Sequence, residues 1–217
     1  MENLYNLLSN FVKEKCINRD NSHGWLHMKN VVENSLKIYN LECIKGNIIP
    51  SYEIKQLILI VAWLHDVADH KYDHNGYLRK ELQIFLNKNF PKYTNLILNI
   101  VEHISFSKEN DCLKKGIDLN WINILGEEGL LIRNIVSDAD KLEALGKNGF
   151  ERTCKYTEEV YKKKYAKNIT YDKLITNVKQ HAQDKLLRLK NEFIHTISGK
   201  ELAEPLHEQL KYMIDNM

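Results

Sequence analysis

Residues that break helices are scarce in this chain. Only 9 glycines and 3 prolines occur among 217 residues, which leaves long helices few places to stop. No stretch alternates apolar and polar residues beyond a few positions, and no segment repeats at a fixed period, so hairpins and solenoids are not expected. The four cysteines, Cys16, Cys43, Cys112 and Cys154, form no CxxC pair and follow no regular spacing. That excludes a zinc knuckle or a disulfide framework and reads as reduced thiols in a cytoplasmic setting. No apolar run approaches the ~18 residues of a membrane span, and Met1-Glu2-Asn3-Leu4-Tyr5 lacks a basic segment leading into an apolar one. A net charge of +2 gives no support for a nucleic-acid partner. A glycine-rich phosphate loop is missing as well.

What remains is an ordinary globular balance, 43% hydrophobic and 28% charged, in a chain long enough for one sizeable core. The periodicity predicts an all-α, single-domain protein over residues 1–217. Leu4, Leu7, Leu8, Phe11 and Val12 mark an amphipathic first helix, followed by a polar turn in which Ser22 can cap the next. Met28, Val31, Val32, Ser35, Leu36 and Tyr39 make the stripe of a second helix running from Trp25 to about Leu41, with His27 on its first turn. Ser51 is positioned to cap a third helix. Residues 77–89 and 93–104 read as two further helices, the first stopping before Pro91. The segment 106–126 is mixed and polar, a surface excursion with at most a short helix. An apolar helix over 129–145 is closed by Gly146, and helical segments follow at 147–165 and 171–196. A last helix ends at Ile214, with Pro205 near an end or a kink.

The chain is organised around Ala62-Trp63-Leu64-His65-Asp66-Val67-Ala68-Asp69-His70-Lys71. Here a helix apolar from Leu57 onward arrives at a histidine and an aspartate side by side, and Asp69 and His70 follow within one turn. Buried charge without a partner is costly, and a divalent ion is an economical partner because it accepts neutral imidazole and carboxylate together. The plain alternative is a helix end whose polar groups reach water. Elsewhere the chemistry-bearing residues are His27, His103, and the pair Asp138 and Asp140. Residues two apart on a helix point ~200° apart, so only one of that pair can face a given ion. His70 and His74 lie in a polar loop and could be solvated or line a pocket.

In order, the candidates spell H…HD…D. Ser22-His23-Gly24-Trp25-Leu26-His27-Met28-Lys29-Asn30-Val31, Leu64-His65-Asp66-Val67, Ile104-Ser105-Phe106-Ser107 and Ile135-Val136-Ser137-Asp138-Ala139-Asp140-Lys141-Leu142-Glu143-Ala144-Leu145-Gly146 carry the pattern. With them the sequence resembles the HD-domain metal-dependent phosphohydrolases, in their small stand-alone bacterial YedJ/YpgQ branch. The C-terminal Lys185-Leu186-Leu187-Arg188-Leu189 adds to the likeness. Three positions depart from the family pattern: Gly24 stands for an aspartate, Asn30 for an arginine, and Ile104 for a histidine.

The resemblance implies a helical HD fold with a metal site between helices, the HD motifs over 22–146 and C-terminal helices over 147–217. It implies His27, His65, Asp66 and Asp140 as ligands of a divalent ion (Mn, Fe, Co, Ni, Zn or Mg). Asp69 would activate or orient water, and Lys141, next to Asp140, would serve catalysis by neutralising phosphate charge, while His23, Lys71 and Arg152 would contact a phosphorylated substrate. The implied activity is hydrolysis of a phosphate ester or anhydride of a nucleotide or similar small molecule. A catalytically idle, nucleotide-binding sensor is the alternative, and a plain helical interaction protein with accidental motifs is a third. A homodimer is compatible with all three.

Overall fold

The computed structural model describes residues 1–20 and 23–217; the expected Ser22 cap lies outside them. Among the described residues the chain is all α, with ten α-helices and no strand. None of these helices is long and apolar enough to cross a membrane. It divides into two compact units, Met1–Ala139 and Asp140–Met217.

In the first unit, α1 (Glu2–Lys15), α2 (Trp25–Ile44) and α5 (Thr94–Glu102) all pack against α3 (Tyr52–Leu64). The reason lies in α3 itself. Every residue from Leu57 to Leu64 is buried, and a helix apolar on all sides must be surrounded. Its start is fixed by Ser51, whose Oγ accepts from the Ile54 backbone N–H at 3.3 Å. The Tyr39 hydroxyl, from α2, donates to the Ser51 carbonyl at 2.8 Å and accepts from the Ser51 N–H at 2.7 Å. Trp63 is fully buried, edge-on to Tyr5 of α1 at 5.2 Å, with Trp25 of α2 at 6.1 Å. The Trp25 Nε1–H donates to Ser9 Oγ at 2.8 Å, tying the first two helices together.

After α4 (Tyr77–Asn89) and a short 3-10 turn at Pro91–Tyr93, α5 leads to the polar segment 106–126. The stretch after Ser105 is mostly exposed, as expected of a surface excursion, with a short helix, α6 (Phe106–Lys114), and Trp121 buried as an anchor; what the sequence did not announce is that Glu109 on α6 is fully buried. The chain can bury this acid because the equally buried Arg133 forms an ion pair with it. Arg133 comes from α7 (Ile122–Leu142), whose backbone breaks at Gly126 with φ 69°. The boundary between the two units falls inside α7.

The second unit holds α8 (Gly146–Tyr165), α9 (Tyr171–Asp184) and α10 (Ile197–Asp215). Gly146 does not close the preceding helix, which ends at Leu142; with φ +64° it opens α8. The segment 171–196 is not one helix either. It breaks at Lys185 and continues as a 3-10 turn (Leu186–Arg188) and a π turn (Leu189–Phe193). Leu186, Leu189, Phe193 and Ile194 are all buried along this irregular stretch. Pro205 sits inside α10 on its exposed side, where the carbonyl deprived of its donor can meet water.

Candidate metal centre

His65 follows the last residue of α3 and stays in the helical region, with φ -56° and ψ -32°. Its Nδ1 lies 2.8 Å from the Ala62 carbonyl oxygen. A carbonyl only accepts, so Nδ1 carries the proton and Nε2 keeps the lone pair. A backbone carbonyl on one ring nitrogen is the usual way a protein orients a metal-binding imidazole. His27, on the first turn of α2, is 4% exposed and His65 is 9% exposed. Their rings meet at 5.4 Å between centroids and 62° between planes.

Asp140 lies in the last turn of α7 and joins them. Donor atoms of His27, His65 and Asp140 all fall within 4.8 Å of one another. Donors ~2.1 Å from a common ion sit ~3–4 Å apart, so this group needs only a small contraction to hold one. Two imidazoles and a carboxylate form a mixed nitrogen–oxygen set suited to a first-row divalent ion. Asp138, on the same helix, is fully buried and supports the charge of Arg133. The two aspartates thus have different surroundings, as expected for residues two apart on a helix. Asp66, the remaining expected ligand, follows His65 but is not part of the converged group among the described residues.

The other expected residues are placed as follows. Asp69 accepts from the Lys71 backbone N–H through Oδ1 at 2.7 Å, and the same oxygen is 3.7 Å from His70 Nδ1. Lys71 reaches back, with its Nζ 3.4 Å from His23 Nε2. The His23 ring is 6.4 Å from that of His27 and 5.6 Å from that of Tyr72. Lys141 is buried, 3% exposed, next to Asp140. Arg152 is on α8 in the second unit, where its charge is felt at His181. His103 is buried, edge-on to Trp121 at 5.1 Å, with Nδ1 bonded to the Asn99 carbonyl at 2.7 Å. His70 is exposed beside Asp69, and His74 is exposed.

Sequence reasoning missed Arg19. Its guanidinium donates to the carbonyls of Asp66 at 2.6 Å and Val67 at 2.5 Å, and stacks over Tyr72 at 4.4 Å. Tyr72 in turn donates to Asp20 Oδ2 at 2.8 Å; burial, then that bond, pushes its hydroxyl pKa upward. The one legible signal was Gly24, the departure from the family's aspartate. A Cβ there would lie 2.9 Å from the Asp20 carbonyl oxygen and 3.4 Å from that of Arg19, so only glycine lets this loop lie against the start of α2.

No family model and no curated protein sequence matches the chain. Solved structures do. Bacillus subtilis YpgQ in complex with ADP superimposes with a TM-score of 0.63 at 19% identity, covering 99% of this chain and 93% of that one. A Lactobacillus plantarum protein gives 0.69 at 21% identity, over 100% and 95% of the two chains. An HD-superfamily hydrolase from Bacillus thuringiensis gives 0.62 at 24% identity, over 99% and 94%. The chain has the HD-superfamily fold. At these identities the likeness extends to the helical HD architecture, and the chemistry has to be argued from the side chains themselves.

Proposed function

We propose that this HD-fold chain is a divalent-metal-dependent phosphohydrolase acting on a nucleotide or a similar small phosphate compound. The observation that carries the reading is the convergence of His27, His65 and Asp140, with the proton of His65 fixed on the far nitrogen. These three would hold the ion, and Asp66, next in sequence to His65, would complete the set. A divalent ion held there supplies Lewis acidity toward a phosphoryl oxygen and a lowered pKa for its water. The chain supplies the rest. Asp69, three residues after Asp66, offers a carboxylate to accept a proton while Oδ1 is steadied by the Lys71 N–H. Lys71 and His23, 3.4 Å apart beside His27, offer donors to anionic phosphate oxygens. A nucleotide as substrate is supported by the ADP bound to the Bacillus subtilis relative.

The test is a release assay over nucleoside mono-, di- and triphosphates and sugar phosphates, with Mn²⁺, Co²⁺, Zn²⁺ and Mg²⁺ varied, scoring phosphate and pyrophosphate separately. Metal-dependent turnover of at least one nucleotide is expected. Tight nucleotide binding with no turnover under any metal identifies a sensor instead.

A further inference from the structure

The HD doublet sits at a weak point of the fold. α3 ends at Leu64, and from His65 onward the helical ladder gives way to turn hydrogen bonds, among them Val67 N–H to Leu64 and Asp69 N–H to Asp66, both 3.2 Å long. The carbonyls of Asp66 and Val67 lie past the end of the helix, outside its ladder, and a side chain distant in sequence binds both. Arg19 places two guanidinium N–H groups on two consecutive carbonyls, Asp66 O and Val67 O. Such a fork fixes both position and direction, which a single donor does not. The face of the guanidinium lies over Tyr72, six residues beyond Asp66, and Tyr72 is bonded to Asp20, the neighbour of Arg19. The loop thus holds the turn at two points, its peptide carbonyls and its outgoing end.

The Arg19 loop is itself anchored. Arg19 N–H bonds to the Cys16 carbonyl at 3.1 Å and His23 N–H to the Asp20 carbonyl at 3.2 Å, while Gly24 leaves the close approach that a Cβ would block. Cys16 is buried beneath it, and burial pushes its thiol up to about 11, so it packs as an inert apolar group.

We propose that Arg19 is the positioning residue of the metal centre: by clamping the Asp66 and Val67 carbonyls it fixes the backbone that carries His65 and Asp66, and with it the placing of His65 beside His27 and Asp140. It acts on the ligands through their backbone and touches neither substrate nor ion. The inference rests on the metal-site reading given under the proposed function. Losing a partner of this kind ordinarily weakens metal affinity ~10–100-fold.

The test uses the full chain and Mn²⁺ alone. Mn²⁺ affinity is measured by calorimetry for the wild type, Arg19→Lys and Arg19→Ala, beside the melting temperature of each protein in EDTA. Arg19→Lys keeps the charge but cannot fork across two carbonyls. Both variants are expected to bind Mn²⁺ ~10–100-fold more weakly while folding in EDTA. Guanidinium ion at millimolar concentration, far below denaturing levels, is expected to restore affinity to Arg19→Ala and not to Arg19→Lys, whose ammonium occupies the place. Wild-type affinity in both variants overturns the role of Arg19 and leaves the metal site standing. A loss of Mn²⁺ binding that only tracks the unfolded fraction, with no rescue, also overturns it. A wild-type chain that binds no Mn²⁺ overturns the metal-site reading itself and this inference with it.

Discussion

The Nδ1–H of His65 donates to the carbonyl of Ala62, 2.8 Å away and three residues back in the same helix. This contact decides which nitrogen can ligate. An ion held there should add its binding energy to folding. At 100 times its Kd, Mn²⁺ should raise the unfolding free energy by ~2.7 kcal/mol. His65→Ala and Asp140→Ala should lose that increment, read as melting curves with and without Mn²⁺. Persistence of the full increment in both variants would sink the assignment.

Asp66 and Asp69 should behave differently. The Asp69 carboxylate is steadied by its own loop through the Lys71 N–H, whereas Asp66 adjoins a ligand. Asp69→Asn retains an oxygen to accept that bond, so it should bind Mn²⁺ as the wild type does and lose kcat by ~10²–10⁴-fold. Asp66→Ala should lose metal affinity first. Equal loss of Mn²⁺ in both variants would make Asp69 a ligand or a support rather than a base.

His27 and His65 stood out in one dimension by where their helices start and stop, His27 on the first turn of α2 and His65 just past the apolar run of α3. The argument that Asp138 and Asp140 point apart needed only the pitch of a helix. Arg19 was illegible because its partners are carbonyls, which carry no residue identity; no pattern in the chain says that a loop arginine will find positions 66 and 67. The burial of Glu109 within the otherwise exposed segment 106–126 was illegible for a related reason: the arginine that lets it be buried lies 24 positions later, on α7. At 185–193 the spacing of Leu186, Leu189 and Phe193 is that of a regular helix, so nothing in the local pattern marks the change of winding the structure has there.

The Glu109–Arg133 pair gives a stability prediction. Both side chains are fully buried; Arg133 Nε donates to the His103 carbonyl at 2.7 Å, and its guanidinium stacks on Trp121 at 4.4 Å. Burial alone pulls the Arg133 pKa below the usual guanidinium range, while the Asp138 carboxylate opposes this. Arg133→Met would leave the Glu109 carboxylate in a dry site and should cost ~3–5 kcal/mol in urea unfolding. Arg133→Met combined with Glu109→Leu should recover most of that loss. A double variant no more stable than Arg133→Met would show that the pair is not coupled.

Gly149 offers a sharper test of packing. A Cβ built there would lie 2.1 Å from the Ala144 carbonyl oxygen and 2.3 Å from its carbon, so backbone rather than a flexible side chain must yield. Alanine normally favours a helix interior by ~1 kcal/mol over glycine. At this position the clash should reverse the sign, and Gly149→Ala should destabilise by ~1–3 kcal/mol. A melting temperature equal to or above that of the wild type would refute the close approach.

Acid sensitivity should arise in the second unit. The pKa of His181 is lowered from the ordinary histidine value by burial first, then by Lys185 and Arg152, with Asp184 opposing. His207, 9% exposed, is lowered by burial first and then by Lys190, against Glu208 and Glu204. The folded state therefore keeps both rings neutral at a pH where the unfolded chain, near pKa ~6.5, already binds protons. Stability rises with pH wherever the unfolded state holds more protons, so their contribution is complete above about pH 6.5 and lost as pH falls through the lowered folded values. Urea unfolding in EDTA between pH 8 and 5 should show this decline. His181→Gln and His207→Gln should each make it shallower, and the double variant shallower still, because glutamine cannot take up the proton. An unchanged slope in the double variant would move the acid sensitivity to groups elsewhere in the chain.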